Sequence, residues 1–337
     1  MKIGYLVHNI DPKNGGGRFA SNIIEGVRAY GHDVVILKEL DDGLEGCVVL
    51  GRGLKIVTSL LRVHTFLKDC DIIHTIDGYP YGIIAWLVNI SLKKKLIIGA
   101  LGTYAVAPLY KRSTSIFLKL AYKSAYKIIA SSNFTKQEIL KKVSLDNIFV
   151  ITPGIHSLQR GDNYIKPNNK FILGVGGLKA RKGYHISLAA FAKVSKDFPD
   201  YQYVIIGDEN WAYQELLHSI IKKNGLENSV QILHKVSEEY LQELYTTATL
   251  FILTPINTAQ HHFEGFGLVY LEAASAGLPV IGTFGNGAQE AIQNGRNGIL
   301  VPQNNVEETA EAIFSILSDP QKQKLMSKES LKWLQLN

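Results

Sequence analysis

Residues 264–283 read EGFGLVYLEAASAGLPVIGT, and this run largely decides the fold. Glu264-Gly265-Phe266-Gly267 is a glycine-bracketed turn, and the pattern from about Leu268 is helical. Gly277-Leu278-Pro279 stops that helix, and Pro279 to Thr283 is a short apolar run of β-forming residues. Another such run, Thr249 to Leu253, precedes the turn. Strand, turn, helix and strand in succession make the crossover unit of a parallel sheet.

Outward from this unit the same alternation covers the chain. In the first half the expected strands are Lys2 to His8, Asp33 to Leu37, Asp71 to Thr75, Lys95 to Gly99, Lys127 to Ala130 and Ile148 to Ile151. In the second they are Phe171 to Val175, Tyr203 to Gly207, Val230 to Leu233, Thr249 to Leu253, Pro279 to Thr283 and Gly298 to Val301. Thr152 to Asn169 carries Pro153, Gly154, Gly161 and Pro167 with no sustained period, and reads as a linker. A chain of 337 residues also exceeds what one core usually supports. The expectation is α/β, with two Rossmann-like doubly wound domains, 1–152 and 170–320, and a last helix in 321–337 that could cross back to the first. Open parallel sheets bind ligands beyond the carboxyl ends of their strands, so the chemistry is expected in those loops, in a cleft where the two domains face each other.

Composition narrows the class. Hydrophobic residues at 46% and charged residues at 20% fit a globular enzyme-sized body. The longest apolar stretch, Gly82 to Leu92, falls well short of the roughly 20 residues that span a bilayer. Met1 to His8 reads as a strand with none of the regions of a signal peptide, so the chain is expected in the cytoplasm. Cys47 and Cys70 form neither a metal spacing nor a disulfide framework and are expected as buried thiols. Residues 1–160 hold 21 Lys and Arg against 12 Asp and Glu, whereas residues 161–337 hold 15 against 18. The basic half should meet an anionic partner. Candidates are a lipid headgroup, an acidic glycan or nucleic acid, among which charge alone does not choose; the basic half contains no recognised nucleic-acid module, and nucleic acid is not the expected partner.

Four constellations carry candidate chemistry. In the opening run Gly265 and Gly267 allow close backbone approach, and the helix start at Leu268 suits a diphosphate. Glu264 can accept hydrogen bonds from sugar hydroxyls, and Glu272 from ribose hydroxyls. Gly174-Val175-Gly176-Gly177-Leu178-Lys179-Ala180-Arg181-Lys182-Gly183 ends a strand in a glycine turn and a cationic pair. Arg181 and Lys182 can neutralise a diphosphate as charge builds on it; the spacing is neither that of a Walker loop nor that of the dinucleotide fingerprint. Asn14-Gly15-Gly16-Gly17-Arg18 is a third glycine-rich turn, in which Gly16 and Gly17 could admit phosphate. Asp77, past the strand that carries His74, can touch sugar or acceptor hydroxyls. Asp69-Cys70-Asp71 has the form of a metal-binding D-x-D, but it precedes its strand and so lies at the wrong edge; no metal is expected. Ser113 to Ala125 is amphipathic, with Lys119 and Lys123, and reads as a helix packed on the sheet or as a surface for anionic lipid.

These residues resemble glycosyltransferase family 4, retaining enzymes of the GT-B fold, over nearly the whole chain. The most specific likeness is the E-x7-E signature from Glu264 to Glu272 with Gly277 to Val280. The resemblance implies transfer of a sugar from a UDP- or GDP-sugar to a hydroxyl of a glycan, lipid-linked or other acceptor, with no cofactor. It implies Arg181 and Lys182 on the diphosphate, Glu264 on the donor sugar, Glu272 on the ribose, and Phe266 and Leu268 among the donor contacts. The chain departs from the family pattern at Ile76, where a second histidine is frequent, at Leu101 and Gly177, where His and Arg are frequent, and at Pro153-Gly154-Ile155-His156. The rival readings are a sugar-nucleotide epimerase and a catalytically silent partner subunit.

Overall fold

A computed structural model describes residues 1–12, 15–50, 55–155, 170–208 and 210–335. Asn14, His156 and most of the expected linker lie outside the described residues. The chain forms two compact units. Residues 1–153 make the first together with Gln260–Gly265, and the rest of the described chain makes the second.

The first unit is a seven-stranded sheet of β1 (Lys2–Val7), β2 (Asp33–Lys38), β3 (Cys47–Val48), β4 (Ile72–Thr75), β5 (Lys95–Ala100), β6 (Lys127–Ala130) and β7 (Ile148–Val150), ordered 3-2-1-4-5-6-7. The second is a six-stranded sheet of β8 (Phe171–Val175), β9 (Gln202–Ile206), β10 (Val230–Leu233), β11 (Leu250–Ile252), β12 (Val280–Thr283) and β13 (Gly298–Val301), ordered 10-9-8-11-12-13. Every strand pair is parallel. Strands covered on both faces need continuous apolar runs, and β8 and β12 are buried at every residue. Sequence reasoning expected six strands in the first half and missed β3, which pairs with Leu37 and Lys38. Two residues in a glycine-rich polar stretch carry no alternation to read. Cys47 on that strand is exposed, contrary to expectation, whereas Cys70 is buried and its burial pushes the thiol pKa up.

Helices α1 (Gly15–Ala29), α2 (Lys55–Leu67), α3 (Ile83–Leu92), α4 (Thr103–Val106), α5 (Arg112–Ser124) and α6 (Asn133–Leu140) belong to the first unit. The second holds α7 (Tyr184–Val194), α8 (Trp211–Lys223), α9 (Glu238–Thr247), α10 (Leu268–Ser275), α11 (Val306–Leu317) and α12 (Pro320–Gln335). Among the described residues no helix is long and apolar enough to cross a membrane. Helix α12 belongs to the second unit, where Ser330 Oγ donates to the Leu278 carbonyl at 2.7 Å.

In each sheet the strand order reverses direction once, between β1 and β4 and between β8 and β11. Crossovers leave opposite sides of the sheet at such a point and open a crevice at the carboxyl ends. The loops that follow β8 and β11 therefore meet in the second unit, and those that follow β1 and β4 in the first.

Candidate functional site

In the second unit, β8 runs into Gly176 and then a tight 3-10 turn at Ala180–Lys182, with Gly183 capping α7. Gly183 has φ +74°, and a Cβ there would stand 1.7 Å from the Thr254 carbonyl oxygen, so no other residue fits. Thr254 Oγ1 donates to the Gly183 carbonyl at 2.7 Å, and Ile256 N donates to the Arg181 carbonyl at 2.8 Å. The cationic turn is thus fastened to the loop after β11 at the switch point. Lys182 Nζ lies 3.7 Å from the position a Cβ on Gly176 would take, so its ammonium stands over the glycine turn. Arg181 and Lys182 are both half-buried.

Gly267, at φ +89°, caps α10, on which Leu268 begins the helix and Glu272 is buried in the second turn. Tyr245 Oη donates to Glu272 Oε2 at 2.8 Å, and Tyr270 Oη to the Leu253 carbonyl at 2.8 Å. The tyrosine bond fixes the carboxylate, since hydrogen bonds to charged groups contribute about 1.5–3 kcal/mol. The loops after β11 and β12 close the same edge together. Thr283 Oγ1 donates to the Pro255 carbonyl at 2.6 Å and accepts from Asn286 Nδ2 at 2.9 Å, while Asn257 Nδ2 donates to the Gly285 carbonyl at 2.7 Å. Sequence reasoning singled out none of Asn257, Thr283 and Asn286. The available signal was positional, because each lies at or just past the carboxyl end of a strand in a parallel sheet.

Glu264 and Gly265 lie in the first unit, not with the other residues of the signature. Phe263 is buried in the core of that unit, edge-on to Phe134 with ring centroids 5.1 Å apart. Thr103 Oγ1 accepts from Phe263 N and donates to its carbonyl, each at 3.1 Å. The Gly265 carbonyl accepts from Ser132 Oγ at 2.7 Å and more weakly from Ser131 Oγ and Thr135 Oγ1. A Cβ on Gly265 would meet the Leu101 carbonyl at 1.8 Å. Glu264 is buried between these anchors, at 9% exposure. The expectation that the second half alone carries Glu264 is therefore corrected: Phe263 burial and the hydroxyl cluster hold it to the first unit. Phe266, Gly267, Leu268 and Glu272 remain in the second unit with Arg181 and Lys182.

Asp77 follows β4 and is half-buried. Its Oδ1 accepts from Gly78 N at 2.9 Å, and its carboxylate also accepts from Leu101 N. Burial outweighs both bonds and raises its pKa to about 7. On β4 itself, His74 packs against Tyr5 with ring centroids 5.1 Å apart, and burial lowers its pKa to about 4. That is a neutral core imidazole. Ile76 and Leu101, the two departures nearest Asp77, pack in one apolar cluster.

Gly16 and Gly17 do not form an open loop; they lie in the first turn of α1. The space a Gly17 Cβ would need is taken by the Asp11 carbonyl oxygen at 2.2 Å and Asn9 Oδ1 at 2.4 Å. Asp71 of the D-x-D stretch accepts from Lys2 N at 2.8 Å, at the amino edge of the sheet. On α5, Leu118, Ala121 and Tyr122 are buried, and Ile116, Phe117 and Leu120 are exposed beside Lys119 and Lys123.

Two family models match the chain. Residues 157–333 match "Glycosyl transferases group 1", and residues 13–157 match "Glycosyltransferase Family 4". Among curated proteins, the chain is 25% identical over 350 residues to an uncharacterized glycosyltransferase of Haemophilus influenzae, covering 98% of this chain and 94% of that one. It is 28% identical over 158 residues to a GDP-mannose-dependent alpha-(1-6)-phosphatidylinositol monomannoside mannosyltransferase of Mycolicibacterium smegmatis, covering 46% of this chain and 41% of that one. Among solved structures, Anabaena HepE in complex with UDP and glucose matches all of this chain and 95% of its own, with a TM-score of 0.84 at 20% identity. That likeness concerns the fold.

Proposed function

The chain belongs to the group 1 glycosyl transferases, with its first half in glycosyltransferase family 4, and on that premise we propose that it moves a sugar from a nucleoside diphosphate sugar to an acceptor hydroxyl with retention of configuration. The observation that carries this reading is the cationic turn Arg181-Lys182, fastened at the β8/β11 switch point of the unit in which Tyr245 holds the buried Glu272. What similar proteins are crystallised with or named for supports it: HepE has been crystallised with UDP and glucose, and the mycobacterial enzyme is named for GDP-mannose.

In this reading the diphosphate lies against Gly176, Arg181, Lys182 and the start of α10, with Phe266, Gly267 and Leu268 beside it. Glu272 accepts from the ribose hydroxyls, and Glu264 and Gly265 face the donor sugar. The bond between the anomeric carbon and the phosphate oxygen breaks, and the acceptor oxygen bonds to that carbon on the same face. The acceptor proton passes to the departing diphosphate oxygen. Arg181 and Lys182 offset the charge left there, so the step needs no resident metal or cofactor. Asp77 accepts a hydrogen bond from the acceptor, and Gly16 and Gly17 border the approach. The exposed apolar residues of α5, interleaved with lysines, rest on the anionic inner face of the plasma membrane, as suits a cytoplasmic enzyme that builds a glycan, polysaccharide or glycolipid.

Calorimetric titration with UDP, GDP, ADP and NAD tests the donor reading. One nucleoside diphosphate should bind, and Lys182→Ala and Glu272→Ala should each weaken it about 10- to 100-fold, or about 1.4–2.7 kcal/mol. Binding of none of them, or of NAD alone, would overturn it. Turnover of a UDP-sugar without acceptor would point to an epimerase instead.

A further inference from the structure

A cavity of about 240 Å³ is lined by residues of the first unit alone. Its walls come from the loop after β4 (Tyr79), from α4 and the turn that follows it (Thr103, Tyr104, Ala107, Pro108), from the start of α5 (Lys111, Ser113, Thr114) and from His262. His262 stands two residues before Glu264, in the segment that Phe263 anchors to this unit.

The lining has one sign. It includes Lys111 and no Asp or Glu. Lys111 forms no ion pair among the described residues, and the hydroxyls of Tyr79, Tyr104 and Ser113 form no hydrogen bond among them. Four donors therefore border one cavity with their bonding capacity open to a ligand. Thr103 and Thr114 are already committed to the Phe263 and Pro108 carbonyls. A neutral sugar would draw no charge attraction from Lys111, whereas an anion would. An ammonium binds a phosphate as a point charge, and hydroxyls on several sides can reach more of the oxygens of a phosphate than a carboxylate offers. The volume, below the usual range of about 300–1,000 Å³ for drug-sized ligands, fits one ring and a phosphate but not an oligosaccharide.

We propose that this cavity is the acceptor subsite and that it selects a phosphate-bearing sugar or polyol, with Lys111, Ser113, Tyr79 and Tyr104 on the phosphate and His262 on the side toward Glu264. The proposal rests on the glycosyl-transfer reading, and the phosphate is either free or carried by a lipid.

Isothermal titration with glucose 6-phosphate, glucuronate and glucose tests it. Glucose 6-phosphate should bind at least fivefold more tightly than the other two. Lys111→Met and Ser113→Ala, both at exposed positions, should weaken it at least fivefold, and Lys111→Arg should retain most of the affinity. Equal affinity for the three probes, no binding of glucose 6-phosphate, or unchanged affinity in both variants would overturn the proposal. Co-sedimentation with phosphatidylglycerol vesicles identifies the source. Vesicle binding that glucose 6-phosphate displaces supports a lipid phosphate, and glucose 6-phosphate binding without displacement supports a free one. Titration of UDP into the same variants keeps the two readings separate, because a failure to bind UDP counts against the donor assignment alone.

Discussion

Glu272 is held from one side by Tyr245. Tyr245→Phe keeps the ring in the core and removes the hydroxyl that donates to Glu272, so it should weaken nucleotide binding several-fold while costing about 1.5–3 kcal/mol of stability; titration calorimetry and thermal unfolding measure the two effects. Asp77 and His74 make an opposed pair. The Asp77 pKa is raised to about 7 in the fold, so the folded state binds its proton more tightly, and stability falls as pH rises from about 4 to about 7. The His74 pKa is lowered to about 4, so stability is lost as pH falls from about 6.5 toward 4. The two slopes oppose each other between about pH 4 and 6.5. Relative to the unaltered protein in denaturant titrations, Asp77→Asn should make stability rise more steeply with pH there, and His74→Gln should make it fall. If Asp77 serves the acceptor, the transfer rate should rise as pH passes about 7, and Asp77→Asn should abolish that rise. Glu264, Glu272, Arg181 and Lys182 were legible in the sequence because carboxylates and cations beside glycine turns have little structural reason to be there. The partners were not: nothing around Tyr245 distinguishes a core tyrosine from one that holds a carboxylate 27 residues away.

At the scale of elements, alternation of apolar runs revealed all the strands except β3, since burial on both faces of a parallel sheet demands such runs. The helix start at Leu268 was also legible, because Gly267 supplies the left-handed cap. Gly16 and Gly17 misled, since a glycine triplet suggests a loop, whereas here it begins α1 so that Gly17 can press on Asn9 and Asp11. Close approach makes Gly265 the most sensitive small residue of the signature. Gly265→Ala should drive a methyl into the Leu101 carbonyl and cost about 1–3 kcal/mol or more in thermal unfolding. Gly295→Ala is the control for a left-handed glycine with open space around it, and its cost should reflect backbone strain alone.

For the whole molecule, the charge asymmetry between the halves predicts a salt-sensitive surface interaction. Co-sedimentation with vesicles containing phosphatidylglycerol should exceed that with phosphatidylcholine alone and fall as salt rises. The double variant Ile116→Ser and Phe117→Ser should reduce it further, since it removes exposed apolar side chains without touching the core. Equal binding to both vesicle types would count against the membrane reading.

The two family models divide the chain at residue 157, but six residues inside the span of the second are packed into the first unit. The halves of this protein are therefore not interchangeable modules. A chimera joined at residue 157 would give the first half a foreign hexapeptide in place of residues 260–265, and with it foreign residues at the positions of His262, Phe263 and Glu264. Exchange of acceptor preference between relatives should succeed only when residues 260–265 travel with residues 1–153, as a graft of two pieces of chain.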